Sequence, residues 1–116
     1  MTYEEIQQLQ RSYCALHSQG YVPAPLDSKV GFAVETSGLV PINGLRHPPE
    51  GDTNGWYIWC GEQMSQRADF FAPLHTMHLV GQLPTVLKFL GLPPGYRFLI
   101  AGEYEDVWYD PTLLTV

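Results

Sequence analysis

Basic residues are scarce in this chain of 116 residues: six Lys and Arg stand against twelve Asp and Glu, a formal charge of -6. Binding a phosphate backbone or an anionic lipid surface rests on clustered cations, so neither nucleic acid nor a membrane is expected as a partner. Long apolar runs are missing too. No stretch approaches the roughly 18 residues of a membrane span, and Met1-Thr2-Tyr3-Glu4-Glu5 lacks the basic region and apolar run of a signal peptide. A cytoplasmic product is the expectation. Cysteine is nearly absent: Cys14 and Cys60 show neither C-x-x-C spacing nor a disulfide framework, which predicts two reduced thiols. A chain of this mass buries about two-thirds of its extended surface on folding, enough for a core without metal or disulfide staples. One domain spanning residues 1–116, folding without a cofactor, is expected.

The motifs of common chemistries are missing as well. Gly91-Leu92-Pro93-Pro94-Gly95 has the wrong spacing for a nucleotide loop, and its prolines remove N–H donors that a phosphate needs. Ser37-Gly38 lacks the nucleophile elbow, and there is no H-E-x-x-H. His75 and His78 are three positions apart, a spacing that could chelate a divalent ion on one helical turn, but no further ligand stands near in sequence. Cys60 with His75 and Asp69 can be drawn as a thiol triad. Cys60 ends an aromatic strand, however, where a free thiol usually serves as a small buried hydrophobe. No metal and no catalytic residue is assigned, and a small hydrolase using Cys60 is the last of the readings.

What is present has the periodicity of an α+β protein. Thr2 and Glu5 form a capping box, followed by an apolar stripe of Ile6, Leu9, Tyr13 and Leu16 that predicts a helix with Gln7, Gln8, Gln10 and Arg11 facing water and Gly20 just past its end. Lys29 to Glu35 alternates through Val30, Phe32 and Val34 as a strand. Residues 37–55 carry Asn43-Gly44 and Asn54-Gly55 turn signals and read mostly as loop, with room for a short strand around Leu39, Val40 and Ile42. Trp56 to Cys60 is a second strand. The 62–79 stretch is irregular. Leu83, Val86, Leu87 and Leu90 with Pro84 in the first turn predict a short helix, and Tyr96–Ala101 with Glu105–Tyr109 predict a hairpin about Gly102-Glu103-Tyr104. The expected fold is an antiparallel β-sheet with helices packed on one face.

Two features point outward from that fold. Aromatics crowd the second half of the chain. Strand alternation puts Trp56 and Ile58 on one side and Tyr57 and Trp59 on the other, so either both faces are covered or one presents aromatics. Glu103, Glu105, Asp106 and Asp110 place four carboxylates about the hairpin with no Lys or Arg among them, interleaved with Tyr104, Trp108 and Tyr109. Acidic charge beside aromatic anchors suits a basic protein partner. Glu103, Tyr104, Glu105, Asp106, Tyr109 and Asp110 are therefore the candidate partner-binding residues.

Val30-Gly31-Phe32, a Pro/Gly loop, and then Thr53-Asn54-Gly55-Trp56-Tyr57-Ile58-Trp59-Cys60-Gly61-Glu62 resemble small immunity proteins of bacterial polymorphic toxin systems, specifically those with a G-W-aromatic-x-x-x-G-[DE] strand. Leu92–Ile100 and Tyr104–Tyr109 are similar to the carboxy-terminal half of such proteins, and the likeness runs from Lys29 onward. The resemblance implies a non-enzymatic cytosolic protein that binds and neutralises a cognate toxin. The alternative is an accessory binding module, or a homodimer built through the same aromatics.

Overall fold

The computed structural model describes residues 1–18 and 20–115. The capping box forms as expected: the Glu5 N–H donates to Thr2 Oγ1 at 3.1 Å and the Thr2 N–H to Glu5 Oε1 at 2.8 Å, starting α1 (Tyr3–His17). Its buried residues are Ile6, Gln10 and Cys14, whereas Leu9 and Leu16 are exposed. The inward face is thus rotated from the expected stripe, and Gln10 faces the core rather than water. It can do so because both ends of its amide are satisfied: Nε2 donates to the Leu87 carbonyl at 3.0 Å, and Oε1 accepts from the Tyr21 hydroxyl at 3.4 Å. The helix stops at Ser18, ahead of Gly20, with the Ser18 N–H and hydroxyl both donating to the Cys14 carbonyl.

Six strands form one sheet in the order β4-β1-β3-β2-β5-β6. They are β1 (Lys29–Phe32), β2 (Ile42–Arg46), β3 (Thr53–Cys60), β4 (Ala72–His75), β5 (Tyr96–Ala101) and β6 (Tyr104–Tyr109). All neighbours are antiparallel except β1 and β3, which run parallel. The architecture is α+β, as the periodicity predicted. β1 ends earlier than expected: the chain turns into a 3₁₀ helix at Val34–Thr36, leaving Val34 exposed.

The largest departure is β2, a central strand built over a turn signal. Gly44 lies opposite Phe98 of β5, and a Cβ there would collide with the Phe98 ring. Asn43 donates its amide to the Gly61 carbonyl at 2.8 Å and more weakly to Pro41 and Trp59. Both residues therefore answer to tertiary contacts rather than to a local turn. Asn54-Gly55 likewise sits inside β3, at an irregularity in its pairing with β1. Gly55 has φ +92°, and a Cβ there would strike the His47 carbonyl, whose own N–H donates to the Gly55 carbonyl at 2.9 Å.

Both sheet faces are covered, by different means. On one, Val30, Phe32, Trp56, Ile58, Phe98 and Ile100 meet Ile6 and Cys14 of α1. The layer is completed by α2 (Leu79–Gln82) and a 3₁₀ helix at Pro84–Phe89, so the expected helix is real but 3₁₀ in form, with Pro84 in its first turn. Phe89 stacks on Phe98 at 4.5 Å between ring centroids. On the other face, Leu45 and Trp59 meet Phe70 and Leu113, with Tyr57 and Phe71 partly buried beside them. Its cover is the irregular segment before β4 and a 3₁₀ turn at Pro111–Leu114.

Arg46 closes the helix-covered side, and nothing in the sequence pattern singled it out. Its side chain is 0% exposed. Nε donates to the Asn54 carbonyl at 2.9 Å, Nη1 to Val22 at 2.7 Å and Leu92 at 2.8 Å, with a longer bond to Leu90, and Nη2 to Pro23 at 3.1 Å. Its guanidinium also lies 5.6 Å from the Trp56 ring centroid. One planar cation thereby pins two connecting segments to the sheet. Burial pulls its pKa down to about 10, which still leaves it charged at neutral pH.

Candidate functional site

The carboxy-terminal hairpin is in register from Tyr96↔Tyr109 to Ala101↔Tyr104, turning at Gly102 and Glu103. Alternation distributes its side chains. Tyr104, Asp106 and Trp108 share one face with Arg97 and Leu99, while Glu105, Val107 and Tyr109 share the helix-covered face with Tyr96, Phe98 and Ile100. The six candidate residues are therefore neighbours in sequence but do not form a single patch.

Their electrostatic partners differ as well. Glu105 is bound by Lys88 Nζ at 2.7 Å, tying β6 to the helix layer. Asp110 accepts from Arg97 at 3.0 Å and from the Thr112 N–H at 3.1 Å, capping the last 3₁₀ turn. The Thr112 and Arg97 bonds hold its carboxyl below the usual carboxylate range. Tyr109 packs against Tyr96 with the two rings tilted and their centroids 5.3 Å apart, and its ring lies over Gly95. Glu103, Tyr104 and Asp106 remain outward, and among the described residues their side chains make only a long 3.5 Å bond, from the Tyr104 hydroxyl to Asp106. Trp108, 40% exposed and 5.8 Å from the Arg97 guanidinium, joins that surface. The acidic end also acts inward: burial, with Glu105 next, pushes the Tyr13 hydroxyl up to about 12.

A concavity lies on the face away from the helices. Its volume is about 430 Å³, and Leu45, His47, Glu50, Tyr57, Met64 and Phe71 are among its walls. His47 Nδ1 is 2.9 Å from the Leu113 carbonyl. A carbonyl only accepts, so Nδ1 carries the proton in this contact. Nearby in the same layer, Trp59 Nε1 is buried and meets no acceptor among the described residues.

The catalytic drawings do not assemble. His75 pairs with Lys29, and Lys29 with Thr53 at the start of β3, whereas Cys60 ends that eight-residue strand. At about 3.3 Å per residue the two are on the order of 20 Å apart. Cys60 is buried, and burial raises its thiol pKa, opposite to the thiolate character of a nucleophile. The His75 and His78 rings are 6.1 Å apart, and the described residues contain no cluster of three or more His, Cys, Asp or Glu suited to a metal ion. Among the described residues, no helix is long and apolar enough to cross a membrane.

Comparison with known proteins gives one finding. A family model described as Imm33-like domain matches residues 9–110, which takes in all six strands and most of α1. No curated protein and no solved structure matches the chain.

Proposed function

The chain belongs to the Imm33-like domain family of immunity proteins, and from that premise we propose that it is a non-enzymatic, cytoplasmic antidote that binds and neutralises a cognate bacterial toxin. The observation that carries the reading is the family match over almost the whole fold. The excess of acidic residues and the exposed aromatics of the hairpin support it. The contact surface is the outward part of that hairpin, centred on Glu103, Tyr104 and Asp106 with Trp108 beside them, while Tyr109 lies on the opposite face of the strand. Charge there steers a basic partner, acting mostly on the association rate, while a desolvated aromatic acts mostly on dissociation.

The test begins with co-expression beside the toxin encoded by the neighbouring gene. Restored growth and a co-purifying complex are expected; a toxin that stays lethal and unbound overturns the reading. Charge reversal belongs at Glu103→Lys and Asp106→Lys, since Lys88 already engages Glu105. That double variant should associate more slowly in surface-plasmon measurements, and Tyr104→Ala should dissociate faster. Unchanged kinetics in both, with parental unfolding curves, would remove the hairpin from the interface and leave the antidote reading standing.

A further inference from the structure

A six-stranded open sheet has two edges, and here they are finished differently. β4 is four residues long and contains Pro73, which has no N–H to offer a further strand. β6 runs for six residues without proline, in unbroken register with β5. The Asp110 N–H donates to the Gly95 carbonyl at 2.7 Å, which sets the phase of the ladder. Bonded and non-bonded pairs alternate in an antiparallel ladder, so Trp108, Asp106 and Tyr104 occupy the bonded pairs with Arg97, Leu99 and Ala101. The two-residue turn closes on the last of these. Glu105, Val107 and Tyr109 consequently direct their backbone N–H and C=O groups away from the sheet. Among the described residues, no backbone bond links those groups to a segment beyond the hairpin.

Such an edge is a template for pairing, and its charge selects the occupant. The only basic side chains bound to its acids are Lys88 on Glu105 and Arg97 on Asp110, leaving Glu103 and Asp106 without an ion-pair partner among the described residues. Two-fold pairing of β6 with a second copy would set this acidic strand against itself, and like charges across a strand pair are destabilising. A basic strand meets the opposite situation. Its apolar side chains would also find Tyr104 and Trp108, 60% and 40% exposed, on one face of the extended sheet.

We propose that the β6 edge takes an added strand: a basic extended segment of the toxin hydrogen-bonds to the backbone of Glu105, Val107 and Tyr109 and becomes the seventh strand of the sheet. This rests on the antidote reading above. Main-chain pairing supplies the affinity, and the side chains alternating along β6 supply the selectivity.

Residue-resolved amide exchange tests it, on the intact chain alone and saturated with a catalytically inactivated form of the toxin encoded by the neighbouring gene. In the free protein Tyr104, Asp106 and Trp108 should exchange slowly while Glu105, Val107 and Tyr109 exchange fast. In the complex the second set should lose its fast exchange, giving protection along the whole strand. Val107→Pro removes one outward donor without removing a bond to β5, and should weaken binding roughly 10- to 100-fold with a near-parental melting temperature. If that variant does not fold, the exchange pattern of the parent still decides. A toxin that binds while these three amides keep exchanging fast overturns strand addition but leaves the antidote reading intact. A toxin that does not bind removes both. Protection of the same amides without toxin, growing with protein concentration, would assign the edge to a second copy of this chain and overturn the proposal.

Discussion

The two faces of the sheet are closed to different standards. On the helix side, Trp56 and Phe98 are each 1% exposed, the Trp56 indole N–H donates to the Leu90 carbonyl at 2.9 Å, and Arg46 satisfies five carbonyls at once. Across the sheet, Trp59 is comparably buried, yet its indole N–H meets no acceptor among the described residues. A cavity opens beside Tyr57 and Phe71, and the cover is irregular chain rather than a helix packed along the strands. The same β3 strand supplies a tryptophan to each face, so composition is not the cause. What differs is the layer laid over it: helical segments end in carbonyls that a polar group can use, and the segment opposite brings none to Trp59.

If that contrast is energetic, the largest effect belongs to Arg46. Arg46→Met keeps much of the side-chain volume but leaves the carbonyls of Val22, Pro23, Asn54 and Leu92 without this donor, Leu90 keeping the bond from the Trp56 indole. Buried acceptors left unmet cost about 1–3 kcal/mol each, and some will relax to water, so a loss of about 3–5 kcal/mol is expected. Urea unfolding should show a lower midpoint at unchanged slope. Next come Trp56→Ala and Phe98→Ala, each about 3–5 kcal/mol by transfer and cavity costs. Phe71→Ala on the thinner side should cost only about 1–2 kcal/mol, because its partly exposed ring has less burial to lose. Equal losses at Phe98 and Phe71 would abolish the distinction between the faces.

The sequence revealed the two faces better than what fastens them. The α1 cap, β3, β5 and the hairpin were legible because each rests on local chemistry: reciprocal capping, a run of aromatic and branched residues, alternation into a tight turn. Asn43-Gly44, Gln10 and Arg46 were not. Each is polar or turn-forming by type and is placed by atoms distant in sequence: the Phe98 ring, the Leu87 carbonyl and the two segments that Arg46 joins. The candidate site was legible to the same extent. The hairpin was legible, and alternation alone separates its acids by face, but the engagement of Glu105 by Lys88 depends on the helix layer.

Trp59→Phe probes the weaker face with a smaller expected effect. Removing the indole N–H relieves a buried donor without an acceptor, worth about 1–3 kcal/mol, while the smaller ring gives up packing of similar size. The net change should fall within about 1 kcal/mol of zero. Trp56→Phe, which also abandons the Leu90 carbonyl, should be clearly destabilising. Thermal unfolding of the pair reads the difference directly, and equal losses would mean that Trp59 is as well served as Trp56.

The smallest effect concerns the corner where the thinner face meets the hairpin. Asp110 caps the Pro111–Leu114 turn through the Thr112 N–H, and that turn delivers Leu113 to the second cluster. The bonds from Thr112 and Arg97 hold the Asp110 carboxyl below its ordinary range, so the folded state favours the ionised form. A depressed carboxylate pKa contributes stability that is present above the unfolded value, about 3.9, and is lost as pH falls through the lower folded value. Acid should therefore loosen this turn below about pH 4, while the part of the helix-covered face that Arg46 fastens to backbone carbonyls, Trp56 included, stays closed. Followed by NMR from pH 6 downward, the Thr112 amide should lose its bonded shift before the Trp56 indole N–H moves. Asp110→Asn keeps an oxygen for Thr112 but has no proton to gain, so the early step should vanish in that variant. If the Thr112 and Trp56 signals instead shift together, with or without the substitution, the two faces open as one cooperative unit, and their unequal construction has no thermodynamic counterpart.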